Sequence, residues 1–290
     1  TCGPLRERLA LLNGVDPEMI FAGNGSDEIL SLCTEAFVDD DGSIGYFDPS
    51  YSLYPVLAAI RDVERRPVSL ADDFGWCMPD GYDASLFFLT NPNAPTGMLF
   101  PKEVVKAFCR SFAGVVAIDE AYVDFSSENC MDLASAMDHV LVLRSFSKSF
   151  SLAGLRLGYA VGHPDLIAAL MKIKDSYNVN ALSQVLGYAA LSDLETFREQ
   201  VERIRATRAR LADELVRLGF DVLPSETNFV WARPSRMPAE ELFERLRQHG
   251  ILIRYFPGGR TGSGVRITVG TDEEIDRLVA AIENILEEAG

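Results

Sequence analysis

The chain has 290 residues, 48% of them hydrophobic, enough to bury one large domain and a smaller companion. A formal charge of −16, from 43 acidic against 27 basic residues, excludes a general binder of nucleic acid or anionic membrane, since both repel it at long range. Any anion must be taken by locally placed arginines, and with only three histidines, far apart, no metal centre is expected.

In chain order, "TCGPLRERLALLNG" predicts a charged helix rather than a signal peptide, and because it starts on helical sequence without a Met, a preceding N-terminal segment is expected to be missing. In "AGNGSDEIL", small residues run into a helix start at Ser26 and Asp27, where free backbone amides make a cup for an anion. Asp27 suits a plain N-cap equally well. The helical "DEILSLCTEAFV" leads to the apolar strand "SIGYF", which ends near Asp48, and "SLFFLT" ends near Asn91. "TNPNAPTG" is a rigid turn able to offer amide donors to an aromatic hydroxyl, or simply a loop.

After the helix "PKEVVKAFCRSF", the strand "GVVAID" places Asp119 at its end with Tyr122 three residues on, so that a carboxylate and a phenol can address one ligand. A carboxylate in such a place can hold a pyridine nitrogen protonated, but it also suits a nucleotide site or a helix cap. The strand "VLVLRSF" ends near Ser145 and runs into "SFSKSFSLAGLRLGYAVG", where Lys148 has no acidic neighbour in a chain rich in acid. Partly desolvated among small residues, its amine spends time neutral and can act as a nucleophile. The plain alternative is a snorkelling surface lysine. Ser145, Ser147 and Arg156 of this stretch could complete the anion cup.

The strand "LGYAVG" and the helix "DLIAALMKIK" complete an alternation of strands and helices that predicts an α/β sheet covered on both faces, with ligand sites at strand C-terminal ends. From about Leu194 a long charged helix with a narrow apolar stripe reads as a connector, so a large domain over 1–205 and a small α+β domain over 206–290 are expected. In the latter, Arg254 in "ILIRYF" and Arg266 in "GVRITVG" would want anionic partners, whereas Arg260 in "PGGRTGSG" is expected to stay solvated. Five isolated cysteines without CxxC spacing read as reduced and packed, hence a cytoplasmic protein.

Taken together, "GNGSDEI", "NPNAPTG", "IDEAYVDF", "SFSKSFSLAGLRLGY" and "IRYFPGGRTGSGVRITVGT" resemble, in order and spacing, the fold-type I aminotransferases that depend on pyridoxal 5′-phosphate (PLP), and more narrowly the histidinol-phosphate aminotransferase family. The resemblance runs from about Leu5 to Ile285. It implies PLP as cofactor, transfer of the amino group of L-histidinol phosphate to 2-oxoglutarate, small-molecule substrates and a homodimer. Lys148 would bond to the cofactor and then shuttle the substrate Cα proton; Asp119 would pair with the ring nitrogen and Tyr122 with the ring hydroxyl. Tyr51, which bare sequence reads as a core tyrosine at a helix start, would stack on the ring. Gly25 and Ser26 amides beside Asp27, with Ser145, Ser147 and Arg156, would hold the phosphate, and Arg254 and Arg266 would meet the substrate's anionic end. Many relatives have Asn where this chain has Ala94, so Asn93, and after it Asn91, is the expected amide donor to the ring. An aromatic aminotransferase, an amino-acid-phosphate decarboxylase and a PLP-binding sensor domain are the competing readings; the last would need a DNA-binding module, for which no basic or helix-turn-helix segment is visible.

Overall fold

A computed structural model of the chain describes residues 2–288. Its larger sheet consists of β1 (Ile20–Gly23), β2 (Ser43–Asp48), β3 (Glu64–Ser69), β4 (Leu86–Thr90), β5 (Val115–Asp119), β6 (Val140–Ser145) and β7 (Gly158–Gly162). Their order is β1-β7-β6-β5-β4-β2-β3, and only β7 runs against the rest, pairing antiparallel with both β1 and β6. The strands are continuous apolar runs because both faces are covered. Phe87 and Leu89 of β4, Val116 and Ile118 of β5, and Val140 and Val142 of β6 enter one core with α1 (Gly3–Asn13), α4 (Lys102–Ser111) and α5 (Met131–Ala136). Their alternating neighbours Leu86, Phe88, Ala117, Leu141 and Leu143 enter a second core with α2 (Ser26–Phe37), α3 (Leu53–Arg61) and α6 (Pro164–Ile173).

After α7 (Ala181–Ala190), the long helix α8 (Leu194–Arg217) spans two environments. Near its start Phe197 stacks on Phe150 of the large sheet's loops, with ring centroids 4.2 Å apart, while Leu211 and Leu215 enter a third core. That core is built on a sheet of order β10-β11-β9-β8 from β8 (Phe220–Val222), β9 (Phe229–Pro234), β10 (Arg254–Tyr255) and β11 (Val265–Thr268), packed with α9 (Ala239–Gln248) and α10 (Asp272–Glu288).

Some elements escape the sequence pattern. β3 is a mostly exposed edge strand that carries Pro67, so it lacks the apolar run by which buried strands are read. β1 is only four residues long, and α7 leaves apolar residues facing outward, which blurs its periodicity. The run "ILIRYF" pairs as a strand only over Arg254–Tyr255. Arg260 is not solvated: its guanidinium donates to the Leu70 and Ala71 carbonyls and lies 4.9 Å over the Phe74 ring, tying the glycine-rich loop to the large domain.

Candidate active site

The C-terminal ends of β4, β5 and β6 and the N-terminal end of β7 bring most of the expected residues into one pocket, as parallel pairing dictates. Asp119 closes β5, in register with Thr90 at the end of β4. Its carboxylate is buried; Oδ2 accepts from the Tyr54 hydroxyl at 3.0 Å and Oδ1 from the Ala121 N–H at 3.1 Å. Burial pushes its pKa up to about 6, against the pull of those two donors and of the Lys148 charge, with Asp27 adding to the rise.

Lys148 follows β6 and lines the same pocket, half-buried, with Nζ 5.3 Å from the centroid of the Tyr122 ring. Among the described residues its ammonium has neither an ion-pair nor a hydrogen-bond partner, so the isolation noted in sequence persists in space. Tyr122 itself is held edge-on by Phe229 of β9, at 5.1 Å between ring centroids.

The anion cup is built around two glycines. Gly25, N-cap of α2, has φ +84°, a conformation that favours glycine, and a Cβ there would stand 2.8 Å from the Arg156 guanidinium. Gly158 lets β7 approach so closely that a Cβ would stand 2.6 Å from the Ser26 nitrogen. Ser145 and Ser147 line the pocket, the Ser147 N–H donating to Ser145 Oγ at 3.1 Å. Arg156 donates to Asp27 Oδ2 at 3.1 Å, and Asp27 Oδ1 accepts from the Tyr51 hydroxyl at 3.2 Å. Asp27 is not the helix cap, a place taken by Gly25; from the first turn of α2 its side chain orients both the cup's arginine and the tyrosine that walls the pocket.

Asn93 and Asn91 do not reach the pocket. Asn93 Nδ2 donates to the Pro49 carbonyl and to Thr96 Oγ1, and its Oδ1 accepts from Ser50. Asn91 is spent on both backbone groups of Phe100. Both amides hold the turn together, and it is Ala94 that faces the pocket. Two residues that matter were not singled out from sequence: Tyr54, in the first turn of α3 three positions after Tyr51, and Thr90, at the end of a recognised strand.

Beyond Tyr51 and Ala94 the pocket continues into a cavity of about 480 Å³ lined by Arg254 and Arg266. These two are cross-strand neighbours on β10 and β11. Arg266 lies 4.8 Å over the Phe229 ring, its Nε is buried without a hydrogen-bond partner, and burial lowers its pKa. No carboxylate pairs with either guanidinium among the described residues. Two cations side by side, without an acid among the described residues, suit a doubly charged anion.

Behind the pocket, a buried ion cluster joins the chain segments that carry these side chains. Arg144 Nε and Nη2 donate to Glu120 Oε2 at 3.0 and 2.9 Å, Arg144 Nη1 lies 3.9 Å from Asp124, and Asp124 accepts from the Ser149 hydroxyl. Glu120 follows Asp119, Ser149 follows Lys148, and Asp124 is in the turn of Tyr122.

The residues fit PLP: a buried acceptor for a ring nitrogen, an unpaired lysine in reach of one pocket, and a glycine-lined cup with an arginine. The aminotransferase class I and II family matches residues 4–282. The histidinol-phosphate aminotransferase of Syntrophotalea carbinolica is 43% identical over 282 residues, covering 96% of this chain and 81% of that protein. That of Synechocystis is 42% identical over 282 residues, covering 97% and 81%. Among solved structures, histidinol-phosphate aminotransferase from Sinorhizobium meliloti in complex with pyridoxal-5′-phosphate superposes with a TM-score of 0.89 at 25% identity, over 99% of this chain and 83% of that one. L-threonine-O-3-phosphate decarboxylase from Porphyromonas gingivalis gives 0.86 at 26% identity, over 99% and 89%. From the pocket, its two arginines and these likenesses it follows that the chain belongs to the class I and II aminotransferases.

Proposed function

We propose that this chain is a PLP-dependent aminotransferase that moves the amino group of L-histidinol phosphate to 2-oxoglutarate, giving imidazole-acetol phosphate and L-glutamate in histidine biosynthesis. The observation that carries this reading is a lysine without an acid partner lining one pocket with a buried carboxylate, next to an unpaired arginine pair. It is supported by the names of the relatives that are 41–43% identical over most of the chain.

When bound, PLP supplies an electron sink for the pair left behind by loss of the substrate Cα proton. Lys148 is the base that takes this proton, and among the described residues no carboxylate pairs with its amine. Asp119 would accept from the ring nitrogen and hold a proton there, Tyr122 would hydrogen-bond the ring hydroxyl, Tyr51 would cover the ring, and the amides of Gly25 and Ser26 with Ser145, Ser147 and Arg156 would retain the phosphate. Arg254 and Arg266 bind the phosphate of the amino donor or the distal carboxylate of 2-oxoglutarate, and their placement in the small domain, which we take over 206–290, fixes substrate length. The reading is tested with PLP-loaded protein by comparing kcat/KM for histidinol phosphate, phenylalanine and threonine phosphate. Histidinol phosphate is expected to lead by at least about tenfold, which corresponds to one well-made charged contact; were it last, the assignment would fail.

The proposed homodimer has a candidate surface. Tyr177, Leu182 and Val185 are 90%, 74% and 66% exposed around α7, next to Leu11 and Leu12 of the contacting α1, an apolar patch that a second copy would cover. Light scattering is expected to give a dimer for the wild type and a monomer for Leu182→Glu/Val185→Glu; a dimer in both would move the interface elsewhere. A cytoplasmic location fits the free cysteines, and among the described residues no helix is long and apolar enough to cross a membrane.

A further inference from the structure

We propose that Tyr54 is a positioning residue that keeps the Asp119 carboxylate ionised and aimed at the cofactor's ring nitrogen. The inference rests on the reading of the site given above. Tyr54 is fully buried on α3, its ring stacked on Phe88 at 4.8 Å and edge-on to Tyr51 at 5.7 Å, so the direction of its hydroxyl is fixed by packing. That hydroxyl sits 3.0 Å from Asp119 Oδ2 and 2.5 Å from Thr90 Oγ1.

The proton directions along this chain can be worked out from its far end. Asn93 Nδ2 is a donor and is committed to Pro49 and Thr96, so Asn93 Oδ1 must accept from Ser50, at 3.1 Å. With the Ser50 proton used there, Ser50 has none to give Thr90, 3.1 Å away, and the Thr90 hydroxyl keeps its own single proton to donate. Tyr54 has a single proton, and an ionised Asp119 only accepts, so that proton goes to Oδ2 and the Tyr54 oxygen takes the single Thr90 proton at the shorter of the two Thr90 contacts. The Ala121 N–H occupies Oδ1. Each carboxylate oxygen thus has one fixed donor, and both bonds favour the ionised form of Asp119.

The charged and titratable groups facing Asp119 are Lys148, which favours its ionised form, Asp27, which disfavours it, and the phenols of Tyr51, Tyr54 and Tyr122. Burial drives the carboxyl toward its neutral form, and the Tyr54 bond opposes this. Without the hydroxyl the carboxylate becomes more basic, so the proton it shares with a ring nitrogen moves toward Asp119.

The test uses Tyr54→Phe, which retains the ring and its packing, and Thr90→Val, which weakens Tyr54 as a donor while leaving it in place. Both are loaded with PLP carrying ¹⁵N in the ring. At neutral pH the nitrogen resonance of Tyr54→Phe is expected to move toward the unprotonated position, with a smaller shift in the same direction for Thr90→Val. For Tyr54→Phe kcat should fall about tenfold with an unchanged KM for 2-oxoglutarate, and in the unloaded protein a ¹³C carboxyl titration of Asp119 should move up by about one pH unit, the size expected for one hydrogen bond to a charged group. A wild-type nitrogen resonance and carboxyl midpoint in Tyr54→Phe would overturn the proposal, whatever happens to activity. Should that variant fail to fold, an unmoved resonance in Thr90→Val would overturn it in the same way. A wild-type protein that takes up no PLP would sink the reading of the site instead, and the carboxyl titration would still decide whether Tyr54 controls Asp119.

Discussion

Lys148→Ala is expected to lose at least about 10⁴-fold in transamination, because one substitution removes both the amine that bonds to the cofactor and the base that moves the Cα proton. Among the described residues Lys148 holds no ion pair, so stability should barely change and the loss is attributable to chemistry. Borohydride reduction followed by intact-mass measurement separates the roles: wild type should retain the mass of PLP, and the variant should not. Added small primary amines should restore part of the proton transfer in proportion to their basicity. A variant with wild-type turnover, or with covalently retained PLP, would remove Lys148 from both roles.

The second large effect concerns stability. In Arg144→Met the Glu120 side chain, fully buried, loses the guanidinium that donates to it twice. An unpaired buried carboxylate costs about 3–5 kcal/mol, a large share of the roughly 5–15 kcal/mol that holds a typical protein folded. Calorimetry should show the midpoint falling by about 10 °C. Burial already raises the pKa of Glu120, with Arg144 opposing, so the variant should recover stability as the pH is lowered and Glu120 takes up a proton. Adding Glu120→Leu should restore part of the loss, since it removes the stranded charge. A midpoint within a degree or two of wild type would show that Glu120 finds another partner.

The expected residues that the fold brings together share one property: each sits beside a strong local signal. Asp119, Ser145 and Lys148 lie at or just beyond the ends of apolar runs, and parallel pairing takes such ends to one edge without further information. Arg254 and Arg266 were legible because a cation inside a strand asks for an anion, and they do pair across β10 and β11. What stayed hidden depends on side-chain direction. An asparagine in a turn looks the same whether its amide points to a ligand or back at Pro49, and Tyr54 looks like any core tyrosine until its hydroxyl is found against Asp119. Arg260 was misread because a glycine-rich loop suggests solvent, whereas two carbonyls of a distant loop and the Phe74 ring were waiting for it.

The single reversed strand has a consequence for how the pocket tolerates change. Because β7 runs against β6, Ser145 and Gly158 are paired neighbours, and the chain between them leaves the sheet and returns at the same edge. Lys148 and Arg156 therefore belong to one short closed loop, pinned at both ends by the sheet's own hydrogen bonds. Their spacing is set by the length of this loop together with the contacts that hold its middle, Phe150 on Phe197 of α8 and the Leu155 carbonyl on the Ser183 hydroxyl of α7. An inserted or deleted residue in this loop would move the amine relative to the anion cup even in a fully stable fold. The loops that cross between the parallel strands β2, β4, β5 and β6 instead pass through their own packed segments, where changes in length can be absorbed away from the pocket.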